Sequence, residues 1–168
     1  MSIKENRPLI LRSNRFFGSK LVEIQLISSE NLEAANEKLL EIIQSGNLKT
    51  ANLLNILIYE LNLLNENELI NRTLEEHSLG LIELSNYDLS VMQQMDLDPE
   101  ICLVTYTLPF DMIDDYVKIA TSFYLSKPAR DYWEEKFKNF HIIWYISTIN
   151  SIAETLERFI KDSKPDEG

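Results

Sequence analysis

The stretch of sequence that decides the fold occurs twice, with the second copy 37 residues after the first. Residues 17–32 read FGSKLVEIQLISSENL, and residues 54–69 read LNILIYELNLLNENEL. Each copy predicts a short apolar helix, a turn that holds a capping residue, and the start of a second apolar helix. The predicted cap is Ser28 or Ser29 in the first copy and Asn65 in the second. Because a repeat of this length is a supersecondary unit, it predicts architecture before it predicts activity.

The apolar residues of the first half recur at spacings of three and four, which predicts helices with one apolar face. We expect four short helices over residues 15–78, behind a flexible lead-in of residues 1–14. Ser13 or Asn14 is the predicted cap of the first helix, and Gly46 is the predicted stop of the second. The first half is therefore expected to be a small helical subdomain.

The second half changes to runs of β-branched and aromatic residues, which are typical of strands. Residues 79–100 are the expected connection, in which residues 81–84 are a candidate short strand, and residues 101–162 predict the order β-β-α-β-α. The strands are predicted at 101–110, 116–125 and 141–146, with one helix opening at Ser126 and another capped by Thr148 or Ser151. Two helices on a three-stranded sheet, after a helical subdomain, make the fold class α+β. Residues 163–168 are a polar tail.

Charge and cysteine content exclude several classes of function. The formal net charge is −11, from 27 acidic and 16 basic residues, whereas nucleic-acid binding needs clustered Lys and Arg. The same charge argues against an anionic lipid surface. Cys102 is the only cysteine, and its apolar neighbours predict a buried residue. Since no apolar run is long enough for a membrane span or a signal peptide, the sequence predicts a cytoplasmic protein without direct membrane insertion.

No pattern of residues predicts catalysis. The sequence has four glycines and lacks the Gly-rich phosphate-binding loop of ATPases. His77 and His141 have no ligand partner three or four residues away, so no metal site is expected. Trp133 and Trp144 follow helix and strand periodicity, which favours core packing over stacking on a base or sugar. We therefore expect no catalytic residue, no metal and no cofactor, and the chain is not predicted to be an enzyme.

The order of these parts resembles the N-terminal domain of the type II secretion and type IV pilus assembly ATPases. Residues 17–32 fit the first copy of that family's repeated helical pattern. Leu79–Leu84 resemble the segment that ends its helical part, Tyr87–Ser90 resemble the following turn, and residues 101–160 follow its β-β-α-β-α half. The resemblance covers nearly the whole chain and implies a domain distinct from the ATPase motor. The chain is then either an excised domain or a relative that lacks the motor.

One branch of that family binds cyclic di-GMP through the repeated pattern, and this chain departs from that branch. The family has an arginine where this chain has Phe16, and Arg15 is displaced by one position. Polar residues replace its glycines at three positions, namely Gln25, Asn55 and Asn62. The resemblance therefore implies cyclic di-GMP binding only as an alternative function, with Arg15, Gly18 and Leu21 as the residues that would contact the nucleotide.

The other branch uses the domain for docking, and this is the function that the resemblance implies here. We expect a non-catalytic docking or regulatory domain that binds the cytoplasmic part of an inner-membrane platform protein. The ATPase motor domain is a second expected partner in a full-length protein, and docking would place the chain peripherally at the inner membrane. Phe16, Phe17 and Leu26 are the predicted interaction surface, because a docking face exposes apolar residues. A stand-alone adaptor of another pathway is the remaining alternative.

Overall fold

The computed structural model describes residues 3–47 and 50–163. The described helices are α1 (Ile3–Glu23), α2 (Ser29–Ser45), α3 (Leu53–Asn55), α4 (Glu66–His77), α5 (Pro99–Thr105), α6 (Lys127–Lys136) and α7 (Ile149–Ser163). The described strands are β1 (Gly80–Leu81), β2 (Thr107–Ile113), β3 (Tyr116–Thr121) and β4 (His141–Ile146). A π-helical turn (Ile56–Glu60) continues α3, and a 3-10 turn (Met92–Gln94) lies between β1 and α5. The α+β fold class predicted from the sequence is confirmed.

Both copies of the repeated stretch form the same helix–turn–helix unit. The first unit joins the end of α1 to α2, and the second joins the π-helical turn to α4. Of the two predicted candidates, Ser28 caps α2 and accepts a hydrogen bond from the Asn31 N–H at 3.0 Å. Asn65 caps α4 in the same way, accepting from the Glu68 N–H at 3.0 Å. Gly46 ends α2 in the left-handed conformation, with a φ of 81°, which glycine adopts at little cost.

The first helix is longer than predicted. The flexible lead-in predicted for residues 1–14 is wrong from Ile3 onward, because α1 begins there. Ser13 and Asn14 do not cap a helix; both are buried inside α1. Their side chains donate hydrogen bonds to the carbonyl of Ile10, at 3.2 and 2.7 Å. Burial of this part of α1 against the rest of the chain supplies the stabilisation that local sequence does not.

Two buried asparagines join α1, α3 and α5. Asn14 accepts a hydrogen bond from the Leu53 N–H at 2.8 Å, and Asn52 accepts one from the Leu54 N–H at 2.8 Å. The Asn52 amide also donates to the carbonyl of Val104 at 2.8 Å. The N–H groups that a helix leaves free at its start are thus satisfied here by two asparagine side chains. The same bonds fix the helical half to α5 of the second half.

The sheet has four described strands, where three were predicted. Its order is β1-β4-β3-β2, with β2 and β3 antiparallel and the other neighbours parallel. The additional strand, β1, pairs Gly80 with Tyr145 and Leu81 with Ile146 at one edge. Of the candidate short strand over residues 81–84, only Leu81 lies in β1, and the three-stranded sheet predicted from the second half did not include it. The predicted strand over residues 141–146 is confirmed as β4.

The strand predicted over residues 101–110 is wrong in its first half, which is helical. Asp98 caps α5 by accepting a hydrogen bond from the Glu100 N–H at 2.9 Å. Pro99 occupies the first turn, where its missing N–H costs nothing. The β-branched residues of α5 are buried, so tertiary packing outweighs their preference for strands. Tyr106 then turns the chain with a left-handed φ of 43°, and β2 follows.

The two halves share a hydrophobic core cluster. It combines side chains of the helical half with second-half residues such as Val104 and Phe123. Phe17 is completely buried and stacks on Phe123, with ring centroids 4.2 Å apart. The second predicted strand ends at Thr121 instead of residue 125, because the Thr121 hydroxyl accepts the Phe123 N–H at 2.8 Å and turns the chain. This turn brings Phe123 onto the helical half.

The C-terminal helix matches the prediction closely. Thr148 accepts a hydrogen bond from the Ser151 N–H at 3.1 Å, so Thr148 is the cap of the two candidates. α7 runs to Ser163, and the rest of the predicted tail lies outside the described residues, as do residues 1–2 of the predicted lead-in. Within the ranges 3–47 and 50–163, no helix is long and apolar enough to cross a membrane.

The stacked pair of Phe17 and Phe123 gives a direct test of the shared core. We expect Phe17→Ala to lower the free energy of unfolding by about 3–5 kcal/mol, because it removes a fully buried aromatic side chain and leaves a cavity. Urea unfolding, followed by circular dichroism, measures the change.

Phe16→Ala is the matched control, since Phe16 is the adjacent residue and is 48% exposed. We expect it to change the free energy of unfolding by no more than about 0.5 kcal/mol. Equal effects of the two substitutions would contradict the position of α1 in the core.

Candidate functional site

Gly18, a predicted contact of the alternative nucleotide function, is packed against leucine side chains. A β-carbon at this position would lie 2.5 Å from a methyl carbon of Leu32 and 2.8 Å from one of Leu53. Contacts this short would force the neighbours to move, so the glycine allows α1 to approach α2 and α3 closely. Asn55 stands at the equivalent position of the second copy. The close approach at Gly18 is therefore used for helix packing.

Two turn residues keep a glycine-type backbone without being glycines. Gln25 has a φ of 64°, and Asn62, at the same position of the second copy, has a φ of 52°. The left-handed region costs a non-glycine residue about 1–2 kcal/mol, and asparagine tolerates it better than glutamine does. Both side chains are exposed. Each turn therefore preserves the backbone geometry of a glycine while it presents a polar side chain at the surface.

The structure does not assemble the interaction surface that the sequence predicted. Phe17 is completely buried, so the prediction of an exposed residue is wrong there: its side chain lies on the apolar face of α1. Phe16 is 48% exposed, and Leu26 is partly buried. Leu21, the other apolar residue of the alternative nucleotide site, is also completely buried, whereas Arg15 is exposed. A single exposed aromatic residue is common on protein surfaces and does not mark a site.

The structure forms a groove that the sequence did not predict, between the π-helical turn, α5 and α7. Its volume is about 610 Å³. The side formed by α5 and α7 is mostly apolar, with Leu103, Ile149, Ala153, Leu156 and Ile160. The side formed by α3 and the π-helical turn carries Asn55 and Tyr59, and Tyr59 is 47% exposed. This volume and this mixture of apolar walls with a few polar groups are typical of binding clefts.

Polar contacts tie the sides of the groove together. The Glu66 carboxylate accepts a hydrogen bond from the Ile149 N–H at 3.0 Å, so the first residue of α4 holds the first turn of α7. Asn150 and Tyr59 both line the groove. Burial raises the pKa of Tyr59, the Glu66 carboxylate raises it further, and the nearby Asn150 side chain partly offsets both. Tyr59 is therefore a neutral phenol at physiological pH.

Tyr106 lines the same groove with an uncommon backbone conformation. Its φ of 43° is left-handed, and residues other than glycine in this region concentrate at functional sites. Burial raises the pKa of Tyr106, with smaller contributions from Tyr59 and Glu66. The π-helical turn on the other side is a second irregularity of a kind that is frequent at functional sites. Two backbone irregularities therefore converge on one groove.

The side chains of the groove suit binding better than catalysis. Both tyrosines keep their protons, so neither is a base or a nucleophile. Among the residues that the structure describes, no group of three or more His, Cys, Asp and Glu side chains could hold a metal ion. Cys102 is buried, as predicted, and burial followed by the nearby Asp98 carboxylate raises the pKa of its thiol. A thiol in this environment is not a nucleophile.

Sequence reasoning missed Tyr59 and found only part of the groove. The amphipathic pattern of α7 was predicted, but periodicity does not show that Ala153 and Ile160 face a groove while their neighbours face the core. Comparison of the two copies could have identified Tyr59, since the equivalent residue of the first copy is Val22. An aromatic side chain with a hydroxyl group, present in one copy alone, distinguishes the surface of the second copy from that of the first.

No family model matches the sequence, and no curated protein matches it. Among solved structures, a structure of MshE with cdg is similar to this chain, with a TM-score of 0.52 and 21% identity over 85% of this chain and 97% of that chain. The N-terminal domain of XpsE is also similar, with a TM-score of 0.53 and 16% identity over 83% of this chain and 91% of that chain. The chain shares their fold. The resemblance to N-terminal domains of secretion ATPases, predicted from the order of elements, is thus confirmed at the level of the fold.

The left-handed turn at Gln25 makes a prediction about stability. We expect Gln25→Gly to raise the free energy of unfolding by about 0.5–1 kcal/mol, because glycine adopts this φ without a steric cost. The greater conformational entropy that glycine loses on folding offsets only part of this stabilisation. Urea unfolding of the two proteins side by side measures the difference.

Glu37→Gly supplies the control, since Glu37 is an exposed residue in the middle of α2. There an added glycine is expected to lower the free energy of unfolding by about 1 kcal/mol. A destabilising Gln25→Gly would show that the turn is not left-handed at this residue.

Proposed function

We propose that this chain is a non-catalytic docking and regulatory domain of a bacterial secretion or pilus assembly ATPase. In this role it binds a protein partner, the cytoplasmic part of an inner-membrane platform protein, and in a full-length protein it connects that partner to the ATPase motor. The chain would then be cytoplasmic, and it would be peripheral at the inner membrane through the partner. The observation that carries the proposal is the likeness of fold to the N-terminal domain of XpsE over 83% of this chain.

The side chains of the described residues support a binding role. The groove between the π-helical turn, α5 and α7 is lined mostly by apolar groups and by the neutral phenols of Tyr59 and Tyr106, with Glu157 and Lys161 as its charged residues. Apolar walls with a few polar groups are typical of binding clefts. The net charge of −11 favours basic protein surfaces as partners, because complementary charge accelerates association and selects among partners.

A cyclic di-GMP receptor is the second candidate, and a specific observation favours it: the similar MshE structure is one of MshE with cdg. Several residues of this chain oppose it. Phe16 replaces the arginine of the nucleotide-binding pattern, and Gln25 and Asn62 place side chains on the turns where that pattern has glycine. The space beside Gly18 is occupied by Leu32 and Leu53. Docking is therefore the stronger proposal.

The docking proposal is tested by titrating the purified chain with the cytoplasmic part of the platform protein encoded in the same genome. We expect a complex with a Kd of about 10 μM or lower at physiological salt, which is typical of small specific interfaces. Isothermal titration calorimetry measures the affinity and the stoichiometry. If the folded chain does not bind at concentrations of about 100 μM, well above that Kd, the docking proposal is wrong.

Calorimetric titration with cyclic di-GMP tests the second candidate. We expect no binding at ligand concentrations up to about 100 μM, because the residues at positions 16, 25 and 62 remove both cationic and close backbone contacts. Each such contact contributes on the order of 1–3 kcal/mol. Cyclic AMP serves as a control for non-specific nucleotide binding. Binding of cyclic di-GMP at low micromolar concentration, without binding of cyclic AMP, would replace docking by second-messenger reception as the proposed function.

A further inference from the structure

We propose that the groove between the π-helical turn, α5 and α7 is the docking site for one amphipathic α-helix of the protein partner. The inference rests on the proposed docking function and adds the site, the form of the partner segment and its charge. Neither the fold likeness nor the surface predicted from Phe16, Phe17 and Leu26 points to this groove.

The length of the groove fits about three turns of a helix. Residues of α7 line it from Ile149 to Lys161, and twelve steps along an α-helix span about 18 Å. With a volume of about 610 Å³, a trough of that length has a cross-section of about 34 Å², less than half that of a helix about 10 Å across. The groove therefore accommodates a row of side chains from a helix that lies along it.

The apolar wall has the spacing that such a row requires. Ala153, Leu156 and Ile160 line the groove at intervals of three and four residues, which is the spacing of a helix–helix seam. Ala153 is the smallest of them, so the wall is indented there, and a large side chain of the partner helix can enter the indentation as a knob enters a hole. Helix-in-groove recognition uses anchors at the same intervals on the partner.

Tyr59 supplies an aromatic anchor on the facing side. It is 47% exposed and lines the groove together with Asn150 of α7. Exposed tyrosines at the centre of a contact often carry a large share of the binding energy. The hydrogen bond from the Ile149 N–H to the Glu66 carboxylate fixes the first turn of α7, and a preorganised wall lowers the entropic cost of docking.

The charges beside the groove select a basic partner helix. Glu157 lines the α7 side, and Glu60 follows Tyr59 on the other side; both are exposed. Among the described residues neither forms an ion pair. Lys161 lies one turn after Glu157 on α7, and the Glu66 carboxylate lies at the first turn of α7, so three carboxylates and one ammonium group surround the groove. The net charge of −11 has the same sign, and the occupant is therefore a helix with an apolar ridge that is flanked by Lys or Arg.

The test compares variants of the full chain against the cytoplasmic part of the platform protein, by isothermal titration calorimetry. Ala153→Arg fills the indentation and is expected to weaken binding at least about tenfold, as loss of a central contact does. Ala34→Arg is the matched control, because Ala34 is exposed on α2 and the substitution changes charge and size identically. Ala34→Arg is expected to bind as the wild type does.

A second pair of variants keeps the test decisive if Ala153→Arg disturbs folding. Glu157→Lys reverses one exposed charge beside the groove and is expected to weaken binding roughly fivefold at low salt and less at high salt. Glu33→Lys makes the same change on α2, where Glu33 is exposed, and is expected to have no comparable effect. Circular dichroism of all four variants monitors folding.

The outcomes separate the inference from the function on which it rests. If the wild type binds the platform protein and the groove variants bind equally well, the groove is not the docking site, but the proposed docking function is supported. A selective loss of binding with Phe16→Ala would then favour the surface predicted from the sequence. If the wild type does not bind, the proposed function fails and this inference fails with it. If sedimentation shows a dimer of the chain that Ala153→Arg dissociates, the occupant is a second copy and the proposed partner helix is wrong.

Discussion

The first N–H groups of α3 have no partner within their own helix, and two buried asparagines supply the missing acceptors. Asn14 bonds the Leu53 N–H from α1, and Asn52 bonds the Leu54 N–H while its amide reaches the Val104 carbonyl at the end of α5. A buried polar group without a partner costs about 1–3 kcal/mol, so these three elements are fixed relative to one another. This constraint explains why α1 extends through Asn14, and why the helical half is not independent of the second half.

The rest of the molecule follows from this arrangement. With α1 fixed, Phe17 meets Phe123 after β3, and Gly18 allows the leucines of α2 and α3 to pack against α1. With α3 fixed beside α5, the π-helical turn stands next to α7, and the groove opens between them. The same repeat therefore builds the core with its first copy and one side of a binding groove with its second.

The sequence predicted the helix ends that are determined by residues within the same turn. Ser28, Asn65 and Gly46 act within one turn of their own helices. The sequence identified Asn65 and Gly46, and it narrowed the first cap to Ser28 or Ser29. Asn14 was predicted as a cap because its type suits one, yet its bond to Leu53 spans 39 residues and leaves no local trace. The helix α5 was predicted as a strand since its β-branched residues follow strand preference, which burial overrides. The groove was missed because it depends on how three elements meet.

The central claim is that the two halves form one cooperative unit, and urea unfolding with two probes tests it most directly. Trp133 and Trp144 are the only tryptophans, and both lie in the second half, so their fluorescence reports on that half. Circular dichroism at about 222 nm reports on all helices, including those of the repeat. The structure predicts one transition with the same midpoint for both signals. A loss of helical signal at lower urea, with tryptophan fluorescence still native, would contradict the shared core.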